Sequence, residues 1–141
     1  MRIEIKDNCV EFYKNKFYKD FKIDYKDEFE LNLIKYFASL YFANPKRIKM
    51  KGKAIEYACY WFVVWNLTEQ NSVFVPKIEL RGKGVHLDHI VPISYGFENN
   101  INPHLIASTD NLQIIPAKDN LKKSCIITQQ SINVLKIWDL W

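Results

Sequence analysis

The feature that most constrains this chain is the stretch VHLDHIVPISYGFENNINPHLIASTDNLQIIPAKDNLKKS, residues 85–124. Val85 to Val91 is a β-like run closed by Pro92, which cannot serve a central ladder, so a strand ending there is predicted. A long loop from Pro92 to Asp110 follows, with Tyr95, Phe97, Pro103 and His104 inside it. Asn111-Leu112-Gln113 then leads a second apolar run, and Asp119-Asn120 opens a polar, lysine-bearing segment. The pattern reads strand, loop, strand, helix. Consecutive strand residues point to opposite faces, so Asp88 and His89 could act together only from a strand end, twist or bulge.

The rest of the chain has different periodicities. Val10, Tyr13, Phe17 and Phe21 recur at steps of three or four within a text of aromatics and lysines, which predicts an amphipathic helix over part of residues 1–26. Asp27 and Glu28 open a second helical pattern running to about Phe42, with Phe29, Leu33, Phe37, Leu40 and Tyr41 on its apolar side, and Asn44-Pro45 breaks it. A third helix over 53–67 is apolar nearly all round and reads as a buried element. Val73–Val75 and Ile78–Leu80 are β-rich, Gly82-Lys83-Gly84 is a turn, and Ile132, Leu135 and Trp138 mark a closing helix docked by its tryptophans. The expected architecture is α+β: a mainly helical region, 1–72, packed on a module of residues 73–141.

A hydrophobic fraction of 48% is ample for a core and sets disorder aside. The net charge of +4 permits a polyanionic partner. Residues 45–53 concentrate Lys46, Arg47, Lys49, Lys51 and Lys53 without an acid, which is either a solvated turn or a phosphate-attracting run. Cys9, Cys59 and Cys125 make no CxxC pair, so neither a disulfide framework nor a structural zinc is expected, and buried free thiols in a reducing cytoplasm are the plain reading. The longest apolar run, Tyr57 to Trp65, is too short to span a bilayer, so no membrane role is expected.

The 85–124 stretch holds the side chains that phosphodiester hydrolysis needs. Water must lose a proton as it attacks, and a histidine near its neutral-pH pKa is a suitable base. The transition state and the leaving 3′ oxygen carry negative charge, which a divalent cation stabilises. Mg²⁺ takes a few oxygen ligands from protein and keeps several waters, a description that Asp88 and the amide oxygen of Asn120 meet. His89 is the base in this reading, and Asn111 supplies an acceptor that orients it.

Asp88-His89-Ile90-Val91-Pro92 with Ser94 and Gly96, then Asn111-Leu112-Gln113, then Asn120 with Lys123, resembles the HNH (ββα-metal) nuclease family. The interval from Asn111 to Asn120 also resembles the HNH domains of RNA-guided CRISPR nucleases. The resemblance implies Mg²⁺-dependent cleavage of DNA to 5′-phosphate and 3′-hydroxyl ends, with Mn²⁺ or another divalent ion able to substitute. It implies metal ligation by Asp88 and Asn120, water activation by His89, support of that histidine by Asn111, and a basic residue at Lys123. Two CxxC pairs that hold zinc in many members are absent here. A single such site cuts one strand, so double-strand cleavage requires a homodimer or two sequential nicks.

Lys118, Lys122 and Lys123 are candidate phosphate grips, as are Lys46, Arg47, Lys49 and Lys51 in the basic run. His86 lies two positions before Asp88 and is read as a phosphate contact, an added metal ligand, or a locally satisfied strand histidine. His104 is read as a loop histidine with an accessory role as its alternative. A zinc site from His86, Asp88, His89 and His104 leaves Asn111 and Asn120 unexplained. A DNA-binding module that keeps the fold without cutting, and an RNA-directed nuclease or toxin, are the alternative functions.

Overall fold

The computed structural model describes residues 2–13, 19–43 and 53–141. The chain opens not with a helix but with a three-stranded antiparallel sheet, β1 (Arg2–Ile5), β2 (Cys9–Tyr13) and β3 (Lys19–Asp24), in the order β1-β2-β3. The reason lies in Cys9–Tyr13, where Val10 and Phe12 are buried two residues apart and Ile5 pairs with Val10 across the hairpin. Period two therefore wins over the three-to-four spacing, which aromatic-rich text satisfies by chance. Lys6 N–H donates to the Cys9 carbonyl at 2.8 Å and closes the first turn. Phe17, one of the four aromatics expected on a helix, lies outside the described residues.

Helix α1 (Glu28–Ala43) starts where its first-turn acids predict. Asp27 accepts from the Glu30 N–H at 2.8 Å, and the Glu30 carboxylate accepts from the Lys26 N–H at 2.7 Å, a reciprocal closure of the capping-box kind. Its buried stripe is Glu30, Ile34, Phe37 and Ala38; of the apolar side expected, Phe37 is buried, Leu33 half-buried and Phe29 exposed, and the side chains of Leu40 and Tyr41 lie outside the described ones. Helix α2 (Lys53–Asn71) buries Cys59, Val63, Val64, Leu67 and Thr68 but leaves Trp61 47% exposed, so it is one-sided rather than buried all round. Cys59 is a sealed thiol whose pKa burial raises to about 12, Cys9 is buried too, and Cys125 is exposed, contrary to the reading of three buried thiols. Among the described residues no helix is long and apolar enough to cross a membrane.

The chain divides into two compact units, residues 1–63 and 64–141, and the division falls within α2. Residue 72, the boundary expected from sequence, directly follows the end of that helix. In the first unit, Phe62 of α2 packs on Tyr36 and Phe37 of α1 with ring centroids 5.9 Å apart in each pair.

In the second unit the two β-rich pieces are short 3₁₀ turns, Ser72–Phe74 and Ile78–Leu80, not strands. Pro76 between them has no N–H for a ladder, and Val75 and Ile78 turn toward the core while Phe74 is left 74% exposed. Gly82 and Gly84 have φ of 86° and 78°, left-handed values that let the chain reverse into β4 (Val85–His89). β4 pairs antiparallel with β5 (Leu112–Pro116) in a continuous register from Val85↔Pro116 to His89↔Leu112. The long connection between them is not structureless: it holds α3 (Ile93–Glu98) and α4 (Pro103–Ile106). Helix α5 (Ala117–Lys123) follows β5 directly, so strand, strand and helix stand in the predicted order.

Helix α6 (Gln129–Ile137) is started by a capping box between Thr128 and Ser131. It buries Ser131, Val134 and Leu135, and of the expected face Leu135 is buried and Ile132 and Trp138 are half-buried, while Trp141, beyond the helix, is exposed. Under the β4–β5 sheet, Val75, Leu87 and Leu112 form a buried cluster with Trp65, Ile78 and Ile114 packed against it.

Candidate functional site

The sequence Val-His-Leu-Asp-His of β4 alternates in character, and the pleat turns that alternation into two faces. Leu87 and His89 face the apolar cluster. His89 is 7% exposed, lies edge-on to Trp65 with ring centroids 4.9 Å apart, and its Nε2 is 2.9 Å from the Thr68 hydroxyl. Burial lowers its pKa from 6.5 to about 4, with the charges of Lys123 and Arg81 adding to the shift. The ring is therefore uncharged at neutral pH, and it is not the near-neutral base that the sequence led us to expect.

His86 and Asp88 occupy the opposite face of the same strand. The Asp88 carboxylate accepts from Lys123 Nζ at 2.9 and 3.0 Å, one bond to each oxygen. Its Oδ2 also accepts from Gln113 Nε2 at 2.9 Å, and Gln113 stands directly across the ladder from Asp88. Gln113 is itself held by reciprocal amide bonds with Gln130 at 3.2 and 2.9 Å. Lys123 Nζ donates a third bond, 2.6 Å long, to the His89 carbonyl. With side-chain exposures of 10% and 5%, Lys123 and Asp88 are a buried pair, tolerable because the remaining donors and lone pairs are matched. Beside it, Asn120 Nδ2 is 3.2 Å from His86 Nδ1. Asn120 and Lys123 are three apart on α5 and so project from one side of it. Strand and helix thus meet in two parallel contacts, His86 with Asn120 and Asp88 with Lys123.

Asn111 is fully buried and does something other than orient the His89 ring. Its Oδ1 accepts from the Val91 N–H at 2.7 Å, and its Nδ2 donates to the carbonyls of Val91 at 3.1 Å and Ile106 at 2.8 Å. Its own carbonyl accepts from the Ile90 N–H at 2.8 Å. The ladder ends at His89, so the next backbone groups need partners, and one asparagine supplies most of them. Ser131 Oγ donates to the Ile90 carbonyl at 2.6 Å and completes the grip. The ring-orienting partner is Thr68, which sequence reasoning missed because it lies on α2, far from the motif. Gln113 was visible in the motif but had no role assigned to it.

No family model, curated protein or solved structure matches this chain. The chemistry of the site accordingly rests on its own residues. A carboxylate from Asp88 and an amide oxygen from Asn120, on one face, are hard donors in the number that a divalent cation takes from protein while keeping waters. The donors fit such an ion. Lys123 is the present counter-charge of Asp88, so loading the carboxylate with a divalent ion displaces that ammonium. Lys118 and Lys122 are exposed on α5 and remain open to an anionic strand, whereas Lys123 is turned inward and does not serve as a surface phosphate grip. His104 lies in α4, where its N–H is held by Asn102 Oδ1 at 2.9 Å, and none of the contacts of His86, Asp88, Asn120 or Lys123 is to it. Lys46, Arg47, Lys49 and Lys51 lie outside the described residues.

Proposed function

We propose that the β4–β5–α5 unit is a metal-dependent phosphodiesterase site of the HNH type, acting on DNA. The observation that carries the reading is the strand–strand–helix order in which Asp88 comes from the first strand and Asn120 from the helix, on the same face as Lys123. Asp88 and Asn120 hold the divalent cation, and Lys118 and Lys122 attract the phosphate backbone. When bound, Mg²⁺ supplies positive charge to the scissile phosphate and the leaving oxygen. His89, the last residue of the ladder, is unprotonated at neutral pH but sits on the face opposite Asp88 with its ring on Thr68. It acts as the base only where the strand end turns that ring to the face of Asp88. Asn111 keeps the backbone just after that histidine in one conformation.

The burial of His89 and the closure of Asp88 by Lys123 are the specific observations that favour a second reading, a nucleic-acid-binding module without turnover. Incubation with supercoiled plasmid and Mg²⁺ separates the two. Nicking that disappears in EDTA and in Asn120→Ala is the expected result. Asn120 is the decisive position because it is half-buried with a single side-chain hydrogen bond, so its truncation leaves the fold intact. Retardation of DNA on a gel with no cleavage in any divalent metal establishes the binding module, and cleavage confined to RNA reassigns the substrate.

A further inference from the structure

Taking the proposed site as the starting point, we infer that His86 is a nitrogen donor to the cation, and that the site prefers Mn²⁺ or Co²⁺ to Mg²⁺. Two imidazoles flank Asp88 in the sequence, and the pleat separates them. His89 is turned into the apolar cluster with its Nε2 on Thr68. His86 is exposed, on the same face as Asp88, with its Nδ1 3.2 Å from the Asn120 amide. An amide nitrogen has no lone pair to give, so Asn120 donates and His86 Nδ1 accepts, which leaves the imidazole proton on Nε2.

That contact has the dimensions of a ligand pair. Two adjacent ligands about 2.1 Å from one octahedral ion lie about 3.0 Å apart. A half-turn of the Asn120 amide exchanges its nitrogen for its oxygen, and the two side chains then present an imidazole lone pair and a carbonyl oxygen to one point. Asp88, one pleat further along that face, supplies the negative charge that two neutral donors lack once the cation has displaced Lys123 from its carboxylate. A set of nitrogen, amide oxygen and carboxylate suits first-row transition cations, whereas Mg²⁺ favours oxygen alone. The sequence left His86 open between three roles. Its placement opposite Asn120 selects the ligand.

The test is calorimetric titration of the full chain at neutral pH with MnCl₂, CoCl₂ and MgCl₂ separately, together with the visible absorption of the Co²⁺ form. The wild-type protein binds Mn²⁺ and Co²⁺ more tightly than Mg²⁺. In His86→Ala and His86→Gln the Mn²⁺ and Co²⁺ affinities fall by about tenfold or more, Mg²⁺ binding stays, and the Co²⁺ spectrum loses its nitrogen-donor character. His86 is exposed, and circular dichroism of both variants verifies the fold. Unchanged Mn²⁺ affinity and Co²⁺ spectrum in both variants, with binding lost in Asp88→Asn and Asn120→Ala, overturn the role of His86 while leaving the proposed site standing. Absence of metal binding in the wild-type chain, or wild-type binding in Asp88→Asn and Asn120→Ala, overturns both.

Discussion

Protonation of His89 provides a quantitative test of how the β4 strand is oriented. The imidazole pKa is about 4 in the folded protein against 6.5 when free, a difference of roughly 2.5 units. At 1.36 kcal/mol per unit this is about 3 kcal/mol of folding free energy that depends on the ring staying neutral. The unfolded chain binds a proton on His89 between those two values and the folded chain does not. The contribution is therefore fully present above about pH 6.5 and is lost as pH falls toward 4. A ring that is 7% exposed needs little discount for solvent screening. The direct assay is NMR titration of the His89 ring signals, with a midpoint near 4 expected. The energetic assay compares urea unfolding of the wild type and His89→Gln from about pH 7.5 to pH 4.5, since glutamine can still bond Thr68 without titrating. Carboxylates lower stability equally in both proteins, so the wild type loses about 2 to 3 kcal/mol more than the variant over that range. A ring midpoint near 6.5, or parallel stability curves, refutes the inward placement of His89.

Lys123→Met strips the counter-charge from a buried carboxylate and is expected to destabilise the protein by about 3–5 kcal/mol in urea unfolding, against less than about 1 kcal/mol for Lys122→Met on the exposed side of the same helix. In the same variant, millimolar MnCl₂ is expected to restore part of the lost stability by replacing the ammonium at Asp88, read as a rise in the unfolding midpoint. Asn111→Ala leaves the buried Val91 N–H without its acceptor and removes two further bonds, for an expected loss of about 2–4 kcal/mol and faster amide exchange at Ile90 and Val91. Thr128→Ala opens the capping box of α6 and is expected to cost about 1 kcal/mol, measured by urea unfolding.

The parts of this fold that were legible in the sequence are those decided by neighbours in the chain. Pro92 and the glycines around Lys83 bracket β4, and Asp27 marks the start of α1, because proline, glycine and capping side chains act over a few residues. The order of Asp88, Asn111, Asn120 and Lys123 was legible for the same reason. What could not be read was set by groups distant in sequence. The face taken by His89 depends on Thr68 and Trp65 at the end of α2, which no local pattern connects to β4. The inward turn of Lys123 is made by Asp88 and the His89 carbonyl, more than thirty residues away in sequence, so a residue expected at the surface became the partner of the carboxylate. The β1–β3 sheet was hidden because Val10 belongs both to a three-to-four set with Tyr13 and to a period-two pair with Phe12, and only pairing across the hairpin chooses between them.

The alternation of His86, Leu87, Asp88 and His89 also has a consequence for how the chain finds its fold. A slip of β4 by one residue against β5 would exchange the faces, drive the Asp88 carboxylate in among Val75 and Leu112, and strand Leu87 beside Lys123. Misregistered pairing is therefore penalised by an uncompensated buried charge rather than by a small loss of packing. The acidic side chain of the proposed site is also the proofreading element of its own hairpin, and a neutral residue in its place would lower the penalty on the slipped register.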